Sequence, residues 1–153
     1  MEEDHPGVRL PPPLIYMAVL GVGLLLRRIA PLPLVPRAIG RPAAIGLALA
    51  SIGLSVWGFA SFRRSSTTVL PYRPATALIT RGPFRLTRNP LYLSLLLLYL
   101  AVTFWIGALW PLLLTPTLVW LVQVMVIVKE ERYLERKFGD SYRAYRTRVR
   151  RWL

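Results

Sequence analysis

The chain has 153 residues, the length of one domain, and 54% of them are apolar. Its 20 Lys and Arg against 7 Asp and Glu give a net charge of +13, while charged residues are only 18% of the chain, so neither a soluble globule nor a disordered polycation fits. The absence of cysteine excludes a disulfide framework, a thiolate nucleophile and Cys-ligated zinc or iron-sulfur centres, and the one histidine, His5, lies in a polar leader away from any core triad or poly-His metal site. What remains is a small, basic, all-α protein that crosses a membrane several times.

Leu14 to Leu26 is a short apolar stretch between Pro11-Pro12-Pro13 and Arg27-Arg28. It reads as a span over about 13–29 whose arginines snorkel to the surface. Glu2, Glu3 and Asp4 stand where a cleaved signal peptide would carry basic residues, which argues against one. Ala43 to Phe62 is uncharged for 20 residues, enough for about 30 Å of helix, and gives a second span at 43–62. Ala44, Ala48, Ser51, Ser55 and Gly58 make a stripe of small residues along one of its faces, suited to close helix packing.

From Leu91 to Val128 no residue is charged. A single helix of that length would be nearly twice as long as a bilayer needs, so the segment must turn back on itself. The bend is expected at Gly107 to Pro111, with Pro111 as the breaker and Trp105 and Trp110 at the interface, giving a helical hairpin with spans at 91–109 and 111–128. The four spans form a single integral membrane domain, 1–153, with a loop at 63–90 and a tail at 129–153. Of the 20 cations, 1 precedes the first span, 4 lie at 27–42, 6 at 63–90 and 9 after Val128. The positive-inside rule then places both termini in the cytoplasm. The ratio of 18 Arg to 2 Lys hints at a GC-rich genome and a prokaryotic plasma membrane.

All carboxylates lie at Glu2, Glu3 and Asp4 or at Glu130, Glu131, Glu135 and Asp140, so no acid sits inside the bundle. Adjacent Glu130 and Glu131, just past the last span, need positive charge nearby, which Arg132, Arg136 and Lys137 can supply locally. Arg88-Asn89-Pro90 sets a cation and an amide at the start of the third span, where proline suits the first turn and free N–H groups favour a carboxylate or phosphate. An ordinary cap with positive-inside arginines explains the same residues. Leu134, Phe138, Tyr142, Tyr145, Val149 and Trp152 recur every three or four residues, with Gly139-Asp140 as a stop and restart. This amphipathic tail can lie on anionic lipid or cover a site at the membrane surface.

In their order and spacing, Arg88-Asn89-Pro90-Leu91-Tyr92, Glu130-Glu131-Arg132-Tyr133-Leu134 and Phe138-Gly139-Asp140-Ser141-Tyr142-Arg143-Ala144-Tyr145 resemble the isoprenylcysteine carboxyl methyltransferase and phospholipid methyltransferase superfamily. Thr80-Arg81-Gly82-Pro83-Phe84-Arg85 resembles its lead-in. The resemblance implies S-adenosylmethionine as cofactor, with no metal, and a lipophilic acceptor arriving from the bilayer. It implies cofactor contacts at Gly82, Asn89, Pro90, Tyr92, Glu130, Glu131, Tyr142 and Tyr145, and catalytic roles for Arg88 and Glu131. Asn89 stands where the eukaryotic carboxyl methyltransferases usually carry histidine. Methyl transfer from a sulfonium needs alignment and water exclusion more than an acid or a metal, which suits a chain without core His or Cys. The alternatives are an NADPH-dependent sterol-type reductase and a non-enzymatic adaptor bound to anionic lipid; the high pI is explained by topology and lipid head groups rather than by nucleic acid.

Overall fold

The computed structural model describes residues 6–8, 10–65 and 75–153. The acidic leader with His5 and the stretch 66–74 of the second loop lie outside the described residues. The helices are α1 (Pro12–Ile29), α2 (Arg37–Arg64), α3 (Pro90–Ile106), α4 (Leu109–Leu113), α5 (Thr115–Val122) and α6 (Val128–Arg148). A 3-10 turn at Gly82–Arg85 precedes α3, and a π-turn at Gln123–Ile127 joins α5 to α6. No strand occurs among the described residues, only an isolated bridge between Pro33 and Ala108.

Two helices, α1 and α2, are long and apolar enough to cross a membrane, and α3 is a shorter apolar helix. Their outward faces carry Met17, Val22, Leu25 and Ile29 on α1 and Ile45, Leu49, Ile52 and Val56 on α2, all exposed. So much contiguous apolar surface marks a membrane-associated protein. The small-residue stripe of α2 faces α3: Ala44, Ser51 and Gly58 are buried, the Ser51 hydroxyl donates to the Ser94 carbonyl at 2.7 Å, and Ser55 donates to Ser94 Oγ at 3.0 Å.

Gly107, not Pro111, turns the chain after α3. Gly107 adopts φ 67°, a left-handed cap that only glycine takes without strain, while Pro111 sits inside α4 near its start, where a missing N–H costs little. The stretch expected to run unbroken over 111–128 is divided into α4, α5 and the π-turn. Arg27 of α1 and Arg41 of α2, which the sequence reading places in the first loop, serve this end of α3: Arg27 Nη1 donates to the Ile106 carbonyl at 3.1 Å, and Arg41 lies 5.6 Å from the centre of the Trp105 ring. Positive charge at a helix C-terminus is favourable, as is a cation over an aromatic face.

One apolar core joins Ile15, Tyr16 and Val19 of α1 to Tyr99 of α3 and to Leu118, Val122, Val126 and Ile127. A second gathers Ile79 and Phe84 with Tyr142 and Tyr145, and Phe62, Leu134, Phe138 and Val149 pack around it. The apolar stripe of α6 is therefore covered by the loop before α3 and by α2, not turned outward onto lipid. Gly139 breaks α6 with φ 51° and ψ −124° inside it, which re-aims Tyr142 and Tyr145. Beyond α6, Trp152 packs against the first core, and its indole N–H donates to Gln123 Oε1 at 3.5 Å.

Candidate active site

The site forms where the start of α3 meets the start of α6. Pro90 opens α3 at its first turn, as the sequence predicts. Asn89 precedes it but does not cap the helix with its side chain; its Nδ2 donates to the Arg151 carbonyl at 2.9 Å. Thr87 Oγ1 donates to the same carbonyl at 3.0 Å, and the Arg88 amide donates to the Arg150 carbonyl at 2.9 Å.

Glu130 and Glu131 are adjacent in α6 and have different neighbours. Glu131 is 8% exposed and is gripped by Arg151, whose Nε and Nη2 donate to its two oxygens at 2.9 and 2.6 Å. Arg88 Nη1 reaches Glu131 Oε1 at 3.1 Å and also donates to the Tyr142 hydroxyl at 3.3 Å. The cations that neutralise Glu131 thus come from distant parts of the chain, not from Arg132, Arg136 or Lys137; Lys137 Nζ lies 5.5 Å from the Tyr133 ring centre. Glu130 Oε1 accepts a hydrogen bond from the Tyr92 hydroxyl at 2.6 Å. Burial pushes the Glu130 carboxyl up to about 7, with the charge of Glu131 adding to the rise and the Tyr92 hydrogen bond opposing it. Burial likewise raises Tyr142 and Tyr145, and the hydrogen bond to Glu131 raises Arg151. The Tyr145 hydroxyl donates to the Phe84 carbonyl at 2.7 Å, tying α6 to the 3-10 turn.

A cavity of about 510 Å³ lies against these groups, within the range of small-molecule sites. Arg88, Asn89, Pro90, Tyr92, Glu130, Glu131, Tyr142 and Tyr145 all line it, so eight of the nine residues singled out from the sequence meet at one place. Gly82 does not line it. Gly82 has φ 63° and lies against α2, where a Cβ would fall 2.6 Å from Ser61 Oγ. The opposite wall is apolar: Pro11, Pro12 and Pro13 from the start of α1, Phe59 and Phe62 from α2, and Leu91 and Leu95 from α3. Pro13 and Phe59 are exposed, so the cavity reaches the outer surface of the bundle.

The donor set suits a zwitterionic, cationic ligand such as S-adenosylmethionine. Among the described residues Arg88 Nε is buried with no acceptor, an orphan donor that a carboxylate would satisfy, and no cation pairs with Glu130. Among the described residues no cluster of His, Cys, Asp and Glu could hold a metal. Two contributors escaped the sequence reading, Thr87 and Arg151. Only the need of Glu131 for a cation pointed to Arg151, and the basic tail offered many candidates.

A family model described as phospholipid methyltransferase matches residues 40–141, well over half of the chain. An uncharacterised protein of Haemophilus influenzae is 48% identical over 63 residues, which cover 41% of this chain and all of that protein. No solved structure matches the chain.

Proposed function

The chain belongs to the phospholipid methyltransferase family, and from that membership we propose that it is a multi-pass membrane enzyme that moves a methyl group from S-adenosylmethionine to a lipophilic acceptor. The observation that carries this reading is one cavity with an acidic and cationic end, at Glu130, Glu131 and Arg88, and an apolar end between α1, α2 and α3. The apolar end receives the chain of the acceptor; the polar end holds the cofactor and the acceptor's reactive head. In this reading the membrane is crossed four times, by α1, by α2, by α3 and by the run of α4, α5 and the π-turn, with the Glu130 end of the bundle in the cytoplasm of a prokaryotic cell.

When bound, the cofactor supplies an electrophilic methyl group on a sulfonium sulfur. The chain's own work is to bind, align and exclude water, which suffices for an in-line displacement. Glu130 offers its carboxylate to the positive charge of the cofactor, and the Tyr92 hydroxyl holds that carboxylate in place. Asn89, Pro90, Tyr142 and Tyr145 line the same pocket, and burial keeps both tyrosine hydroxyls protonated; the proton of Tyr145 is held by the Phe84 carbonyl, while Tyr142, which accepts from Arg88, can donate. Arg88 orients the acceptor's head group or the cofactor's carboxylate. Glu131 acts by fixing Arg88, since Arg151 already occupies both of its oxygens.

The test is ligand binding by the full chain in mild detergent. A ligand at 100 times its dissociation constant stabilises the folded state by about 2.7 kcal/mol, a readily measured rise in Tm. S-adenosylhomocysteine and S-adenosylmethionine are expected to raise the midpoint of the wild type and not that of Glu130→Gln. A rise with NADPH alone would transfer the chain to the reductases, and no rise with any of the three would leave a lipid-binding adaptor.

A further inference from the structure

Arg151 lies outside the residues that match the family and does not line the cavity, yet three features bind it to the groups that do. Its guanidinium grips Glu131 by both oxygens, at 2.9 and 2.6 Å. Its carbonyl accepts from Thr87 Oγ1 and Asn89 Nδ2, and the carbonyl before it accepts from the Arg88 amide. Glu131 Oε1, which takes Arg151 Nε, is also the oxygen that Arg88 Nη1 approaches at 3.1 Å. Arg151 thus fixes Glu131 by its side chain and Asn89 by its carbonyl, and through Glu131 it sets the Arg88 side chain, whose backbone the neighbouring Arg150 holds. We propose that Arg151 is a positioning residue of the cofactor cavity, holding Glu131 so that Arg88 and Asn89 are presented to the ligand in one fixed geometry.

The argument is one of competing partners. With Arg151 in place, Glu131 is shared between two guanidinium groups, and Arg88 divides its donors between Glu131 and the Tyr142 hydroxyl. Without Arg151, Glu131 keeps a single cation, and Arg88 turns to satisfy it with both arms of its fork. That motion takes Arg88 off the Tyr142 hydroxyl and changes the donors it presents to the cavity. A lysine at 151 restores the charge but not the planar two-point grip, so it repairs the site only in part. The segment around Arg151 is anchored independently by Trp152 in the apolar core, so replacing the guanidinium leaves the backbone course intact.

This inference rests on the proposed cofactor, and calorimetry with S-adenosylhomocysteine separates the two. The wild type, Arg151→Lys, Arg151→Ala, Glu131→Gln and the Arg151→Ala/Glu131→Gln double variant are titrated as full chains in detergent, and the Tm of each without ligand is recorded. Arg151→Ala is expected to bind about tenfold more weakly, as displaced contact groups do, and Arg151→Lys to fall between it and the wild type. The double variant is expected to bind no more weakly than the product of the single losses would allow, and clearly less weakly than that product, because the two residues act through one contact. Folded Arg151→Lys and Arg151→Ala that bind within twofold of the wild type, or losses that simply multiply in the double variant, would overturn the proposal. Should Arg151→Ala not fold, Arg151→Lys alone decides by the same twofold criterion. A wild type that binds no adenosyl ligand overturns the cofactor reading and this inference with it.

Discussion

Glu131 and Asp140 illustrate how differently two carboxylates of one helix behave. Asp140 pairs with Arg143 in open solvent, with 97% of its side chain exposed, and Asp140→Asn is expected to leave the unfolding midpoint unchanged within error. Glu131 is buried between Arg88 and Arg151, and Glu131→Ala leaves two guanidinium groups facing each other, so a loss of about 3 kcal/mol is expected in denaturant unfolding. Glu130 carries a pH dependence. Its carboxyl is raised in the folded protein from an ordinary 4.5 to about 7, so the folded state holds the proton more tightly than the unfolded chain. Stability without ligand should therefore fall as pH rises from about 4.5 to 7 and level off above, by an amount on the order of 3 kcal/mol, and Glu130→Gln should flatten this slope in thermal unfolding measured across that range.

At the scale of elements, the close approach of α2 to α3 and the break in α6 each hang on one glycine. A Cβ at Gly40 would meet the Phe104 carbonyl at 2.9 Å, backbone that cannot swing aside, so Gly40→Ala should cost about 1 to 3 kcal/mol. Gly53, on the open face of the same helix, has nothing within 4 Å, and Gly53→Ala should stabilise by roughly 0.5 to 1 kcal/mol, which makes the pair an internal control in reversible unfolding. Gly139 is in open space as well but has φ 51°, so Gly139→Ala should cost about 1 to 2 kcal/mol through the backbone alone. The pattern of α6 and the small-residue stripe of α2 were legible in the sequence because periodicity is local information. The start of α3 was legible too, since Pro90 signals a first turn wherever it stands. The bend was legible to within Gly107–Pro111, but not that Gly107 rather than Pro111 makes it, nor the division of 111–128, because a segment apolar on every side carries no phase to read and proline is a louder signal than a capping glycine. The cation of Glu131 was illegible for a different reason: Arg151 is one of nine cations in the tail with nothing in its neighbours to single it out, and only folding brings it across to α3.

At the scale of the whole molecule, charge and apolar surface are segregated. The outward faces of α1 and α2 are apolar, Arg27 and Arg41 gather at the Ile106 end of α3, and the Glu131 network sits at the Pro90 end. The absence of cysteine allows this polarity to be tested without background. In sealed, oriented vesicles, Leu32→Cys and Ser141→Cys, both at exposed positions, should react with a membrane-impermeant maleimide from opposite faces; reaction from the same face would remove the four-span arrangement. A cavity that opens beside Pro13 and Phe59 on the apolar flank of the bundle also changes the unit in which its occupant is counted. A molecule arriving there travels in two dimensions, and its effective concentration is its mole fraction among the surrounding lipids, not its molarity in the tube. Diluting such an acceptor with inert lipid at constant bulk concentration should slow turnover, while adding buffer should not.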